Sequence, residues 1–164
     1  MSADGISYSF EARANGYGRG EGAGCLILQR QDDASKSGNI VRAVIRNTGM
    51  NHCGRSPQGI TVPNQQAQTE LIQNVYSSAG LDPVDTAYVE CHGTGTSKGD
   101  PIEAKAIAAA FDTSRLASDD PLFIGSVKSN FGRPNNPTTA HVGVDALLII
   151  SKDTSREEVE SSLC

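Results

Sequence analysis

The sequence predicts an α/β fold. Three observations lead there. Strand-like apolar segments alternate with helix-like ones, the most regular helical pattern is bracketed by a capping residue and a glycine, and polar turns follow directly on two of the strands. The length, 164 residues, is that of one domain. Hydrophobic residues make up 37% and aromatic residues 5%, with no Trp and 17 Gly, so the core is lean. Charged residues are 20% and the net charge is −5, which excludes a highly charged disordered tail. No apolar run approaches the ~18 residues of a spanning helix, so no membrane association is expected. The basic side chains are scattered, so no nucleic-acid partner is expected either. The first ten residues have neither the cationic nor the apolar stretch of a signal peptide, and the expected compartment is the cytoplasm.

Taken in order, the first element follows the glycine run Gly16 to Gly24, which leads into the apolar, strand-like Cys25-Leu-Ile-Leu28. A dinucleotide fingerprint fits Gly18-x-Gly20-x-x-Ala23 only by force, because that motif opens a helix and this one opens a strand. The glycines are read instead as sites of close backbone approach and positive φ. Gln31 to Gly38 reads as a short helix and turn, and Val41 to Asn47 alternates as a half-buried strand does. Met50 to Pro63 is rich in Gly, Pro, Asn and Ser and reads as a loop. Asn64 caps a helix whose apolar face carries Ala67, Leu71, Ile72, Val75 and Ala79, with Gly80 as its stop.

Thr86 to Cys91 is a strand that runs into His92-Gly-Thr-Gly-Thr96. The next helix starts at Asp100-Pro101-Ile102-Glu103, where Asp100 and Glu103 spell a cap and a capping box, and it continues through Phe111. Pro121 to Val127 is a further short strand, ending in Lys128-Ser-Asn130. The four cysteines, Cys25, Cys53, Cys91 and Cys164, are not spaced as CxxC. The pairs His52-Cys53 and Cys91-His92 put neighbours on opposite faces of a strand, so no metal centre is expected and reduced thiols are.

The chemistry is expected at the carboxyl ends of the strands, where α/β sheets gather ligands. Two polar clusters lie there: His92 with Thr94 and Thr96, and Lys128 with Ser129 and Asn130. His92 is a candidate hydrogen-bond donor or acid/base, and Lys128 a candidate to fix polar groups or an anion. A loop histidine satisfied by its surroundings and a surface lysine are the bland alternatives.

Three segments carry a family resemblance: Tyr8-Ser-Phe-Glu-Ala-Arg-Ala-Asn-Gly-Tyr-Gly-Arg-Gly-Glu-Gly22, Val89-Glu-Cys-His-Gly-Thr-Gly-Thr-Ser-Lys-Gly-Asp-Pro-Ile-Glu-Ala104 and Gly125-Ser-Val-Lys-Ser-Asn130. They resemble the β-ketoacyl synthase domain of type I, fungal-style polyketide synthases, from about Ser7 to Gly132. The resemblance implies a thiolase-like fold (layered αβαβα), here incomplete. It implies decarboxylative Claisen condensation of acyl and malonyl thioesters carried by an acyl carrier protein. No cofactor is implied beyond the phosphopantetheine that this carrier delivers, and the parent domain is expected to be a homodimer. His92 matches the family's first catalytic histidine, Lys128 its lysine, and Thr94 and Thr96 the threonines beside the phosphopantetheine arm.

The departures from the pattern are as specific. No cysteine here lies in the family's nucleophile elbow. The second histidine should follow Asn130-x-Gly132, but position 133 is Arg and His141 lies eight residues further on. Residues 1–132 are therefore expected to be a partial domain spanning the junction of its two halves. Residues 133–164 are expected to be a divergent tail, with an apolar run from Val142 to Ile150. An isolated piece of this kind would expose sheet edges and dissolve poorly. The alternative function is an inactive remnant or interaction fragment without the nucleophile. A nucleotide-binding enzyme rests only on the glycine count.

Overall fold

In the computed structural model of the chain the described residues are 1–52, 62–111, 121–134 and 146–152. Along the chain these form β1 (Arg19–Gly20), α1 (Gln31–Lys36), β2 (Ala43–Met50), α2 (Gln65–Ala79), β3 (Tyr88–Glu90), α3 (Gly99–Phe111), β4 (Phe123–Gly125), α4 (Lys128–Phe131), β5 (Arg133–Pro134) and β6 (Ala146–Lys152). A 3-10 turn, Pro83–Asp85, precedes β3. Among the described residues the strands pair as β1 with β5 and β3 with β4, both parallel, and β2 with β6, antiparallel.

Helix α2 forms as its sequence predicts. The Asn64 side chain accepts from the Ala67 N–H, and Gly80 stops the helix in the left-handed conformation at φ 63°. Leu71 and Val75 of the predicted face are buried, and so is Tyr76 beside it, while Ala67, Ile72 and Ala79 are half-buried. That face lies on β2, where a Cβ on Gly49 would collide with the Val75 side chain, so the glycine lets helix and strand approach. Asn47 adds bonds of 2.9 Å to the Val75 carbonyl and 2.8 Å to the Ser78 hydroxyl. Toward α3, the Thr69 hydroxyl donates to the Ala106 carbonyl at 3.2 Å. Between the two helices and β3 sits a core of Tyr76, Cys91, Ile107, Ala110 and Phe111. The Tyr76 and Phe111 rings meet edge to face at 5.4 Å.

Three expectations need correction. Cys25 to Leu28 is not a strand. Among the described residues no strand lies beside it to complete a ladder, and Leu26, Ile27 and Leu28 are 88%, 95% and 72% exposed. The strand of the glycine run is instead Arg19–Gly20, which reaches across to Arg133–Pro134. Gly20 is needed there because a Cβ would strike the Phe131 carbonyl oxygen. No helix follows the run until Gln31, so the dinucleotide fingerprint lacks its phosphate-binding helix end.

Second, Asp100 is not the cap of α3. The helix begins one residue earlier, at Gly99, and the Thr96 hydroxyl accepts from the Gly99 N–H at 3.2 Å. Third, the strand expected over Pro121–Val127 shrinks to Phe123–Gly125, because the ladder with β3 ends at the pair Glu90–Gly125 and the chain turns at Ser126. Beyond Gly132, where the sequence predicts no regular element but an apolar run, Ala146–Lys152 pairs along the whole of β2. Cys53, Cys164 and His141 lie outside the described residues.

Candidate active site

Parallel pairing of β3 with β4 sends both strands toward the same edge, so the turns that follow them emerge side by side. One is His92 to Thr96; the other begins at Ser126 and carries Lys128. A single hydroxyl joins them. Ser126 Oγ, almost fully buried, donates to the His92 carbonyl at 3.3 Å and accepts from the Lys128 N–H at 3.4 Å. The Cys91 N–H donates to the Gly125 carbonyl at 2.7 Å and carries the ladder to the foot of both turns.

Helix α3 holds the first turn with two carboxylates. Glu103 accepts from the His92 N–H at 2.6 Å and from the Gly93 N–H at 2.9 Å. Asp100, buried, accepts from the Gly95 N–H and the Thr96 N–H, both at 3.1 Å, and from the Phe10 N–H at 2.9 Å. Backbone donors that a tight turn would otherwise leave unpaired are thereby satisfied. The turn requires glycine at position 95, where φ is 75° and a Cβ would meet the Tyr8 nitrogen at 2.7 Å. Residues 8–17 clasp the turn from outside: Ser9 Oγ donates to the Gly93 carbonyl at 2.5 Å, and the Gly16 N–H donates to the Gly95 carbonyl at 2.9 Å. Phe10 stands in this clasp at φ 59°, a conformation unfavourable for a residue with a Cβ.

The sequence reads both carboxylates as helix caps, and here the structure overturns that reading. They point back at the loop before the helix, not at the amides of α3. The spacing that spells a capping box is the same spacing that puts two carboxylates against a preceding turn, and the side-chain direction is not written in it.

Electrostatics follow from burial. Desolvation raises the Glu103 pKa, opposed by the two amides it binds. Desolvation lowers that of Lys128, half-buried, and Glu90 and Glu103 oppose the change. Cys91 is pushed up to about 12, first by burial and then by the field of Glu103. Its thiol donates to the Val89 carbonyl at 3.4 Å, so it is a protonated core thiol and not a nucleophile. At pH 8 a thiol reagent is expected to label the exposed Cys25 quickly and Cys91 only on unfolding, as read by peptide mass mapping. Equal labelling rates would contradict this assignment.

Of the four residues singled out in sequence, His92 and Lys128 are brought together through Ser126. Thr94 is buried and its hydroxyl lies 3.4 Å from that of Thr96. Thr96 also lines a groove of about 400 Å³ with Phe10, Ala14, Pro101, Ala104 and Ile124. His92, Thr94 and Lys128 do not line that groove. Arg133 places its guanidinium 5.0 Å from the centre of the Tyr17 ring, while its main-chain N–H donates to the Gly18 carbonyl at 2.7 Å. Sequence reasoning missed Ser126, Ser9, Asp100 and Glu103 as site residues. The two serines touch the loop from 34 and 84 residues away, a relation that no local pattern records.

Two family models match the chain: Beta-ketoacyl synthase, N-terminal domain, over residues 1–34, and Beta-ketoacyl synthase, C-terminal domain, over residues 42–159. The chain belongs to the β-ketoacyl synthase family. Among curated relatives it is 52% identical over 148 residues to Highly reducing polyketide synthase 40 of Fusarium pseudograminearum, covering 90% of this chain and 6% of that one. It is 50% identical over 151 residues to Highly reducing polyketide synthase azaB of Aspergillus niger, covering 92% and 6%.

Solved ketosynthases share the fold. The oxazolomycin ketosynthase domain OzmH KS7 of Streptomyces albus JA3453 superposes with a TM-score of 0.75 at 43% identity, over 80% of this chain and 22% of that one. The ketosynthase from module 6 of the bacillaene synthase of Bacillus subtilis 168 gives 0.76 at 40% identity, over 80% and 23%. The fold is therefore the α/β, thiolase-like fold of ketosynthases. The chain spans 6% of the curated relatives it matches and less than a quarter of these solved chains. Among the described residues no helix is long and apolar enough to cross a membrane.

Proposed function

We propose that this chain carries the histidine–lysine side of a polyketide ketosynthase site, whose reaction is acyl transfer and decarboxylative Claisen condensation of malonyl-type thioesters on acyl carrier protein. The observation that carries this reading is the Ser126 hydroxyl, which ties His92 and Lys128 together at the shared edge of β3 and β4. In this reading CO₂ leaves the malonyl group, and the electron pair of the breaking C–C bond moves into the thioester as an enolate. His92 stabilises the charge that gathers on the thioester oxygen, and Lys128 organises the polar groups around it. Donors held in place before reaction are worth more than donors that must reorganise. The carboxylates of α3 supply that rigidity.

Thr94 and Thr96 are assigned to the phosphopantetheine arm of the carrier. Thr96 suits the role because its side chain borders the groove; its hydroxyl already serves the Gly99 N–H. Residues 1–132 are assigned to the ketosynthase proper across the junction of its halves, and residues 133–164 to a divergent tail. The parent domain acts as a homodimer in the cytoplasm.

Decarboxylation of a malonyl thioester does not require the acyl-bearing cysteine, so it tests this side of the site alone. Release of CO₂ from malonyl-pantetheine by the folded chain is expected, with a loss of a hundredfold or more in His92→Ala. No release by the folded chain, or equal release by the variant, would overturn the reading.

A further inference from the structure

Glu90 ends β3 on the face that bears Tyr88, and its carboxylate has two partners. Oε1 accepts from the Val127 N–H at 2.8 Å, and Oε2 accepts from the Tyr88 hydroxyl at 2.6 Å. Val127 immediately precedes Lys128 and is the residue on which the short turn of α4 begins. The Ser126 carbonyl accepts from the Ser129 N–H at 3.0 Å and from the Ser129 hydroxyl at 2.8 Å, which closes that turn. Glu90 thus stands to the lysine turn as Glu103 stands to the histidine turn. Each carboxylate grips a main-chain N–H of the turn and lies in the field of the same ammonium.

The two differ in how they are held. Glu103 is enclosed by its own helix and the loop, whereas Glu90 is exposed and needs a second anchor to keep one geometry. The Tyr88 hydroxyl is that anchor. Its bond to the carboxylate is reflected in a phenol pKa raised to about 12, with Glu90 as the first cause. A charge-assisted O–H···O⁻ bond of this length is stronger than a neutral one.

We infer that Glu90, locked by the Tyr88 hydroxyl, is a positioning residue for Lys128, fixing the turn from which the lysine leaves β4 and placing a negative charge beside that turn. The inference rests on the assignment of Lys128 to the site. Other charged and titratable groups acting on this ammonium are Glu103 from α3, Arg133 from β5 and the Cys91 thiol. Glu103 acts in the same direction as Glu90, and Arg133 acts against both.

The test is the titration of Lys128 in the full chain, followed by NMR of ¹³C-dimethylated lysines and assigned by loss of the signal in Lys128→Met. Glu90→Gln keeps an acceptor oxygen for Val127 but removes the charge. The Lys128 midpoint is expected to fall by about one pH unit. Tyr88→Phe keeps the charge and frees the carboxylate, and the fall is expected to be about half as large. An unchanged midpoint in both variants would overturn the inference, since a purely structural cap would alter stability and leave the titration where it was. The titration needs no turnover. Loss of thioester chemistry in Lys128→Met is a separate readout, and its absence would count against the proposed function and not against the Glu90 contact.

Discussion

Asp100→Ala is expected to destabilise the chain by about 3 kcal/mol. The carboxylate is buried and accepts from three backbone amides, those of Phe10, Gly95 and Thr96. Each buried donor left without a partner costs about 1–3 kcal/mol. Part of that is recovered, because Phe10, held at φ 59°, is freed from a conformation that costs roughly 1–2 kcal/mol. Asp100→Asn keeps the volume and one acceptor oxygen. That oxygen can serve Phe10 and Gly95, but the amide NH₂ then faces the Thr96 N–H, so a smaller loss is expected. Urea unfolding of the three proteins measures the order. A change below about 1 kcal/mol in Asp100→Ala would show that the clasp on the loop is not held by this carboxylate.

The second large effect concerns Glu103, whose carboxylate fixes the His92 and Gly93 amides. Glu103→Ala removes both bonds next to the proposed catalytic imidazole, and decarboxylation is expected to fall by about a hundredfold, the scale of a misplacement of roughly 1 Å. Glu103→Gln retains one acceptor and is expected to lie between. The pH dependence gives a second readout. Burial raises the folded-state pKa of Glu103 above its ordinary value of 4.5. The folded state therefore binds this proton more tightly than the unfolded state does. The resulting stability is fully present below the ordinary value and is lost as pH rises through the raised one. Wild type is expected to lose stability across that window relative to Glu103→Gln. Equal slopes in the two proteins would contradict the assignment.

These two residues also mark the limit of what the sequence makes legible. Helix α2 is readable because its cap, its apolar face and its stop are local, and Asn64, Leu71 and Gly80 do what their types predict. The order of the β3 and β4 turns, and with it the nearness of His92 and Lys128, follows from alternating strands and helices. Cys25 to Leu28 is apolar and strand-like, yet a strand is a relation between two segments, and periodicity in one says nothing of the other. Asp100 and Glu103 satisfy the rule for a helix start so well that the rule hides their direction. Ser9 and Ser126 are seen only once distant chain is brought together. The motifs name the candidate residues; the network that stiffens their loop is seen only in the coordinates.

The two carboxylates of α3 preorganise the loop bearing His92, each holding its own part. Amide hydrogen exchange measures this directly. In wild type the amides of Phe10, His92, Gly93, Gly95 and Thr96 should exchange slowly. Glu103→Ala should release His92 and Gly93 and leave Gly95 and Thr96 protected, and Asp100→Ala should do the reverse. Exchange of all five at the unprotected rate in wild type, or unchanged protection in both variants, would show that these carboxylates do not order the loop.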